Sequence, residues 1–338
     1  MRLVYDPRHA GHRPRTEILY GKPTEHPERP ERVEAVRAAL ERTPWGRLIG
    51  GPRDIPLAEA TRVHEAAYLA HLEERCAEAG AEGPTAEWFP YVWPRDRALD
   101  TGTPLLGPTL TLAWGAACVA LTGAELLLEG AAHVYALCRP PGHHAAAGAS
   151  GGYCYFNNAA LATERLHRAA GAAGRNDRIA ILDLDIHHGN GTQEIFYRSD
   201  RVLYCSIHGE PEWAYPPHTG FPEETGAGAG HGFTFNQVLP QGTTWPTYAA
   251  ALDRALERIG TFHPSALVLS QGFDILEGDR WGGFLLRPEH CATIGERLRA
   301  LRLPVLIVLE GGYEPATIAA GSIALLQGIA PMPPGERG

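Results

Sequence analysis

Short apolar runs rich in Val, Ile and Leu recur along the chain and alternate with longer stretches whose apolar residues return at helical spacing. Runs 3–6, 134–138, 179–185, 202–207, 267–270 and 305–309 read as strands, with 233–239 as a weaker seventh. Several are apolar nearly throughout, the signature of strands covered on both faces of a parallel sheet. The stretches 31–42, 65–79, 108–129, 157–170, 245–259 and 288–301 read as amphipathic or Ala-rich helices. At Thr244-Trp245-Pro246 a hydroxyl cap precedes a proline in the first turn. This alternation predicts an α/β protein, a single domain over 1–338, with a mainly parallel central sheet and helices on both faces. Segments 80–107 and 209–232 carry Pro, Gly and aromatics without such a pattern, and the first clusters Trp88, Phe89, Tyr91 and Trp93. Loops of that length in a compact domain are usually functional rims or lids.

Composition narrows the class. With 338 residues, 44% of them hydrophobic and 20% charged, the chain can bury a sizeable core and is not a disordered segment. Thirty basic residues against 39 acidic ones leave a net charge of −9. That balance argues against nucleic acid as a partner and draws cations in at long range. The six cysteines are scattered without a C-x-x-C pair, as expected of reduced, buried thiols. The first residues lack the apolar core of a signal peptide, and no run reads as the ~18 apolar residues of a membrane span. The expectation is a soluble cytoplasmic protein with no membrane partner.

The candidate chemistry sits just beyond the carboxyl ends of the strands. Run 134–138 leads into Arg139-Pro140-Pro141-Gly142-His143-His144, and run 179–185 into Ile186-His187-His188-Gly189-Asn190-Gly191. Run 267–270 leads into Gln271-Gly272-Phe273-Asp274, and run 305–309 into Glu310-Gly311-Gly312-Tyr313. Open α/β sheets bind ligands outside the carboxyl ends of their strands, so these four segments converge on one site. Asp183, Asp185 and His187, spaced two apart, can face one way along an extended chain. One carboxylate and the imidazole of that segment, with Asp274 from another strand, offer two Asp and one His to an ion with open positions, a plausible catalytic zinc site that would also take ferrous iron. His143 and His144 sit on a rigid turn, where one ring can act as base and the other remain charged, oriented by Asp183 and Asn190. Tyr313 follows two glycines that leave its phenol free to reach a cleft and donate to a developing oxyanion. Two weaker patterns carry no chemistry: His64-Glu65-Ala66-Ala67-Tyr68 lacks a second histidine, and the alternating glycines of 226–232 precede a strand.

Pro140-Pro141-Gly142-His143-His144-Ala145, Gly152-Tyr153-Cys154-Tyr155-Phe156-Asn157-Asn158, the stretch 183–193, Ser270 through Asp274 and Glu310 through Tyr313 together resemble the zinc-dependent histone deacetylase family. The blocks occur in family order, beginning at Glu28-Arg29-Pro30-Glu31-Arg32, and look most like the bacterial acetylpolyamine amidohydrolase branch. The resemblance implies the arginase/deacetylase fold across one deacetylase-like catalytic domain. It makes Asp185, His187 and Asp274 the zinc ligands, His143 and His144 the base and acid pair, and Tyr313 the carbonyl-polarising phenol. It implies a substrate tunnel walled by Tyr153, Tyr215, Gly152 and Trp281, and an acetate cavity lined by Arg32. A structural potassium ion is implied near Asp183, Asp185, His187 and Ser206, and a homodimer is expected. The substrate so implied is a small acetylated linear amine, with acetyl-lysine in peptides as the first alternative and a non-catalytic acetyl-ligand binding module as the second. Glu82, Glu87, Asp96 and Asp100 are the acidic candidates for reading a distal ammonium; Trp281 stands where some polyamine-selective relatives carry a glutamate.

Overall fold

The computed structural model describes residues 1–19, 21–92 and 95–330; Trp93 of the aromatic loop cluster lies outside them. Its strands are β1 (Arg2–Val4), β2 (Thr16–Leu19), β3 (Lys22–Glu25), β4 (Ile49–Gly50), β5 (His133–Ala136), β6 (Ile179–Asp183), β7 (Val202–Gly209), β8 (Thr234–Leu239), β9 (Ala266–Gln271) and β10 (Val305–Leu309). The helices are α1 (Glu31–Glu41), α2 (Ala66–Glu82), α3 (Thr109–Leu128), α4 (Asn158–Ala172), α5 (Asn190–Phe196), α6 (Trp245–Phe262), α7 (Pro288–Ala300) and α8 (Pro315–Ile329).

Eight strands form one sheet in the order β4-β1-β5-β10-β9-β6-β7-β8, and each neighbouring pair is parallel. Alternate residues of each strand feed opposite cores. Tyr135, Leu182, Leu269 and Ile307 pack with Val36, Leu252, Leu298 and Leu325 of α1, α6, α7 and α8. Val134, Ile181, Val268 and Leu306 pack against Ala120, Ala124 and Leu166 of α3 and α4. Burial on both faces explains why these strands read as unbroken apolar runs.

All seven expected strands are present, whereas several elements left no signal in the sequence. The β2–β3 hairpin is antiparallel and separate from the main sheet, and its polar residues show no alternation. Helix α8 is apolar around most of its circumference because α7 and α1 both cover it, so it lacks a polar stripe. Run 179–185 is shorter than expected. Strand β6 ends at Asp183, whose carboxylate captures the backbone N–H of Asp185 at 3.2 Å, so Asp185 and His187 belong to the turn beyond the strand. The segment 80–107 also starts late, because α2 continues to Glu82.

One expectation about hydropathy is corrected. Helix α3 has the length and composition of a membrane span, with a mean hydropathy of 1.6 over 20 residues. Its apolar stretch is 72% buried, packed against α4 and β5. A helix enclosed by protein on most sides needs no polar face.

Candidate active site

The four strands expected to converge are neighbours at the centre of the sheet, in the order β5-β10-β9-β6. Their carboxyl ends deliver the twin histidines, the Glu310–Tyr313 turn, Asp274 and the Asp183–Asn190 segment to one place.

Asp185, His187 and Asp274 bring one donor atom each within 4.8 Å of one another. His187 Nδ1 lies 3.0 Å from Asp185 Oδ1 and 3.2 Å from Asp274 Oδ2. The carboxylates are fixed from behind: Gly311 N–H donates to Asp185 Oδ2 at 2.8 Å, and Ile186 N–H donates to Asp274 Oδ1 at 3.1 Å. A single hydrogen on His187 Nδ1 cannot serve both aspartates, and Asp274 Oδ2 remains a fully buried oxygen without a hydrogen-bond partner. Burial raises the Asp274 carboxyl, and the nearby Asp185 raises it further. At Asp185 burial also pushes up, but His143 and His187 outweigh it and hold the group ionised. An orphaned buried oxygen, a second carboxylate and an imidazole nitrogen on one point fit a divalent first-row cation of the zinc type. Gly311 is required here, since a Cβ at that position would run into the carboxylates of both Asp274 and Asp185.

The two histidines are adjacent in space, with ring centroids 4.0 Å apart, but their partners differ in charge. His143 Nδ1 lies 3.1 Å from the Asp183 carboxylate, whereas His144 Nδ1 lies 2.7 Å from the neutral Asn190 Oδ1. Burial pulls the His143 imidazole down, but Asp185 and Asp183 outweigh it and leave it raised to about 10. Burial lowers His144 far below the usual range, and the charges of His143 and His187 add to that. Their surroundings therefore push the two rings in opposite directions.

Two supporting residues had no role assigned from sequence. Glu310, fully buried, accepts the backbone N–H groups of Gly142 (2.7 Å) and His143 (3.1 Å) and a hydrogen bond from Ser270 Oγ (3.1 Å), and so clamps the turn that carries the histidines. Tyr204 donates to Asp183 Oδ2 at 3.2 Å from the next strand. Ser206 is the register partner of Asp183 across β6 and β7, which puts the two residues side by side.

A cavity of about 520 Å³ opens onto this floor. His144 and His187 line it, together with Tyr313 and the expected wall residues Tyr153, Tyr215, Gly152 and Trp281; His143 does not and lies behind His144. Gly152 adopts φ +53°, and a side chain there would strike the His144 ring. Tyr215 packs edge-on to His144 at 4.9 Å, and Tyr153 does so to Tyr313 at 5.9 Å. Arg32 lies outside this cavity, on a neighbouring one of about 320 Å³ that it shares with Tyr313 and Arg280. Its guanidinium binds Glu28 Oε1 (2.9 Å), Glu310 O (2.5 Å) and Gly312 O, and stands 4.8 Å from the Tyr313 ring centroid.

Among the acidic candidates only Asp100 reaches the cavity. Glu87 accepts the backbone N–H of Thr16 at 3.1 Å, Asp96 accepts that of Tyr91 at 2.7 Å, and Glu82 is exposed at the end of α2. Glu17 and Glu212 line the cavity as well. Nothing in the sequence marked Glu17, because the hairpin that holds it has no periodic pattern.

A family model described as histone deacetylase domain matches residues 26–329. The chain belongs to the histone deacetylase domain family. It is 39% identical to acetylpolyamine amidohydrolase 1 of Pseudomonas aeruginosa, over 97% of this chain and 98% of that protein. A crystal structure of acetylpolyamine aminohydrolase from Burkholderia pseudomallei superposes with a TM-score of 0.88 at 37% identity, covering 97% of this chain and 98% of that one. The HDA15 HD domain superposes at 0.82 with 30% identity, over 98% and 90% of the two chains. The deacetylase fold expected from the motifs is thus the fold present, and membership of this family makes the chain a deacetylase, a hydrolase of a family that generally depends on zinc.

Proposed function

We propose that the chain hydrolyses the acetyl-amide of acetylpolyamines, linear amines that carry further ammonium groups. The observation that carries this reading is the convergence of the Asp185–His187–Asp274 donor set, His144 and Tyr313 on one cavity that also holds the carboxylates of Glu17, Asp100 and Glu212. The names of the most similar relatives point the same way.

Asp185, His187 and Asp274 would hold zinc, or ferrous iron in its place; the ion supplies Lewis acidity to the attacking water and the substrate carbonyl. His144, neutral and facing the cavity, takes the proton of that water. This reverses the order expected from the sequence, where His143 was the base: His143 lies behind His144, against the Asp183 carboxylate, and is placed to stabilise the negative charge of the transition state. Tyr313 donates its phenolic O–H to the oxyanion developing on the acetyl carbonyl. The oxygen of water bonds to the acyl carbon, the C–N bond breaks, and His144 returns its proton to the departing amine. Acetate then faces Arg32 and the smaller cavity beyond Tyr313. A potassium ion near Asp183, Asp185, His187 and Ser206 would stiffen the segment carrying two of the ligands. The cysteines are all buried and unpaired, which suits a reducing compartment such as the cytoplasm.

Steady-state acetate release from acetylputrescine, acetylspermidine and an acetyl-lysine peptide tests the reading. A higher kcat/KM for the polyamines supports it; preference for the peptide replaces it with protein deacetylation. Tight ligand binding without acetate release from the zinc-loaded protein would favour the binding-module alternative.

A further inference from the structure

The phenol of Tyr313 is not held by its own hydroxyl, which makes no hydrogen bond among the described residues. Its ring rests near the Arg32 guanidinium, 4.8 Å from the centroid, and edge-on to Tyr153 at 5.9 Å. The chain before it is Gly311-Gly312, with Gly312 at φ +110°. Two glycines leave a turn more freedom than any other pair, so the place of the phenol has to be imposed by contacts from outside the turn.

Asp279 makes those contacts. It lies on the loop that leaves β9 beyond Asp274, and it is half-buried. Its Oδ2 accepts the backbone N–H of Tyr313 at 2.6 Å and that of Glu314 at 3.1 Å. Its Oδ1 accepts the N–H of Trp281 at 3.0 Å, which folds the Asp279 loop back on itself. Glu314 is the N-cap of α8 and makes no side-chain cap bond, so the carboxylate that serves the start of this helix comes from a different segment. Bonds from N–H groups to a carboxylate are charge-assisted and roughly twice as strong as neutral ones. The other bonds to the turn are made before the tyrosine: Gly311 N–H on Asp185 Oδ2, Phe273 N–H on the Gly311 carbonyl at 3.0 Å, and Arg32 on the Gly312 carbonyl. Those from Asp279 are made at Tyr313 itself. The Trp281 bond runs to the main chain, so the indole that faces the cavity can vary without disturbing it.

We propose that Asp279 is a positioning residue for the hydrolysis: its carboxylate pins the main chain at Tyr313 and so fixes where the phenolic O–H meets the acyl oxygen. The proposal rests on the deacetylase reading above, with Tyr313 as the oxyanion donor. Such a donor stabilises the transition state only over a narrow range of distance, so freeing its backbone lowers turnover. Substrate binding is set by the cavity wall and is little changed. Asp279 does not line the cavity and is not one of the candidate metal donors, so its effect reaches the reaction through the tyrosine.

The test is a double-mutant cycle on the zinc-loaded enzyme, with acetate release from monoacetylputrescine as the readout and zinc content measured for each protein. Asp279→Ala is expected to keep stoichiometric zinc, to lower kcat by about 10–100-fold and to move KM by about twofold at most. In the Tyr313→Phe background the same substitution should lower kcat by about twofold at most, because the group it positions is gone. Asp279→Asn keeps one acceptor oxygen, and its kcat should fall between those of the parent and Asp279→Ala. Equal losses of kcat in the two backgrounds overturn the proposal, as does a loss that tracks departure of zinc, or an Asp279→Ala enzyme with parental kcat. Should Asp279→Ala fail to fold, Asp279→Asn takes its place in the cycle under the same criterion. A parent that releases acetate from no acetylated amine removes the deacetylase reading and this assignment with it; a parent that turns over while the cycle is additive removes the role of Asp279 alone.

Discussion

The floor of the cavity and its wall are built differently. The floor is made at the ends of four adjacent strands, and its supporting atoms are closed into hydrogen bonds: Gly311 on Asp185, Ile186 on Asp274, Glu310 on the His143 turn. The wall is made by the β2–β3 hairpin and by loops, and it presents an unsatisfied Glu17 oxygen, an exposed Glu212 and an exposed Arg280. A closed floor fixes the reaction, because each group has one orientation. A wall hung on loops can change its ligand without disturbing the chemistry below, which is how one fold serves different acetylated amines.

That contrast can be broken experimentally, beginning at the floor. Asp274→Ala removes one of three donors and should abolish stoichiometric metal binding; full occupancy by elemental analysis would refute the ligand set. Glu28→Gln attacks the support beneath. Glu28 is 1% exposed and pairs with both Arg32 and Arg139, so its loss leaves buried cations unpaired and should cost about 3–5 kcal/mol in chemical denaturation. Burial pushes the Glu28 carboxyl up, but Arg139 and Arg32 outweigh it and hold it at about 2. Its contribution is therefore complete above its ordinary 4.5 and is lost as pH falls toward 2; a parent whose stability is flat through that window would contradict the pairing. Tyr313→Phe should retain the metal and lower kcat by about 10²–10³-fold, as for removal of an oxyanion donor. Near-normal turnover would take the phenol out of the mechanism. The smallest effect belongs to the wall: Trp281→Ala should raise KM for acetylputrescine by a few-fold, on the order of 1 kcal/mol, with kcat unchanged. A collapse of kcat there would show that wall and floor are not separable.

Legibility in the sequence divides along the same line. The floor could be read because strand ends are marked twice, by apolar runs and by the Asp, His and Gly-Gly-Tyr groups just beyond them. Asp185, His187 and Asp274 meet as expected, and so do His143 with Asp183 and His144 with Asn190. Which of the two histidine rings faces the cavity was not legible. Glu17 was missed because its burial comes from tertiary contact with Tyr153, more than a hundred residues away, and not from any local period. Glu87, Asp96 and Glu82 were reasonable by charge alone, but backbone donors claim the first two and solvent the third. The apolar character of α3 and α8 reflects the neighbours that cover them, which no local pattern reveals.

The position of β10 has a consequence for biosynthesis. It is the last strand among the described residues, yet it occupies a central slot, inserted between β5 and β9, and the turn after it supplies the Gly311 N–H that fixes Asp185. A nascent chain that has emerged only through β9 and the turn after it has made Asp185, His187 and Asp274 but has a gap where the middle of the sheet should be. Such parallel, sequence-distant pairings form slowly. The candidate donor set is therefore aligned only when β10 is threaded home, and a truncated product carries Asp185, His187 and Asp274 without the means to align them.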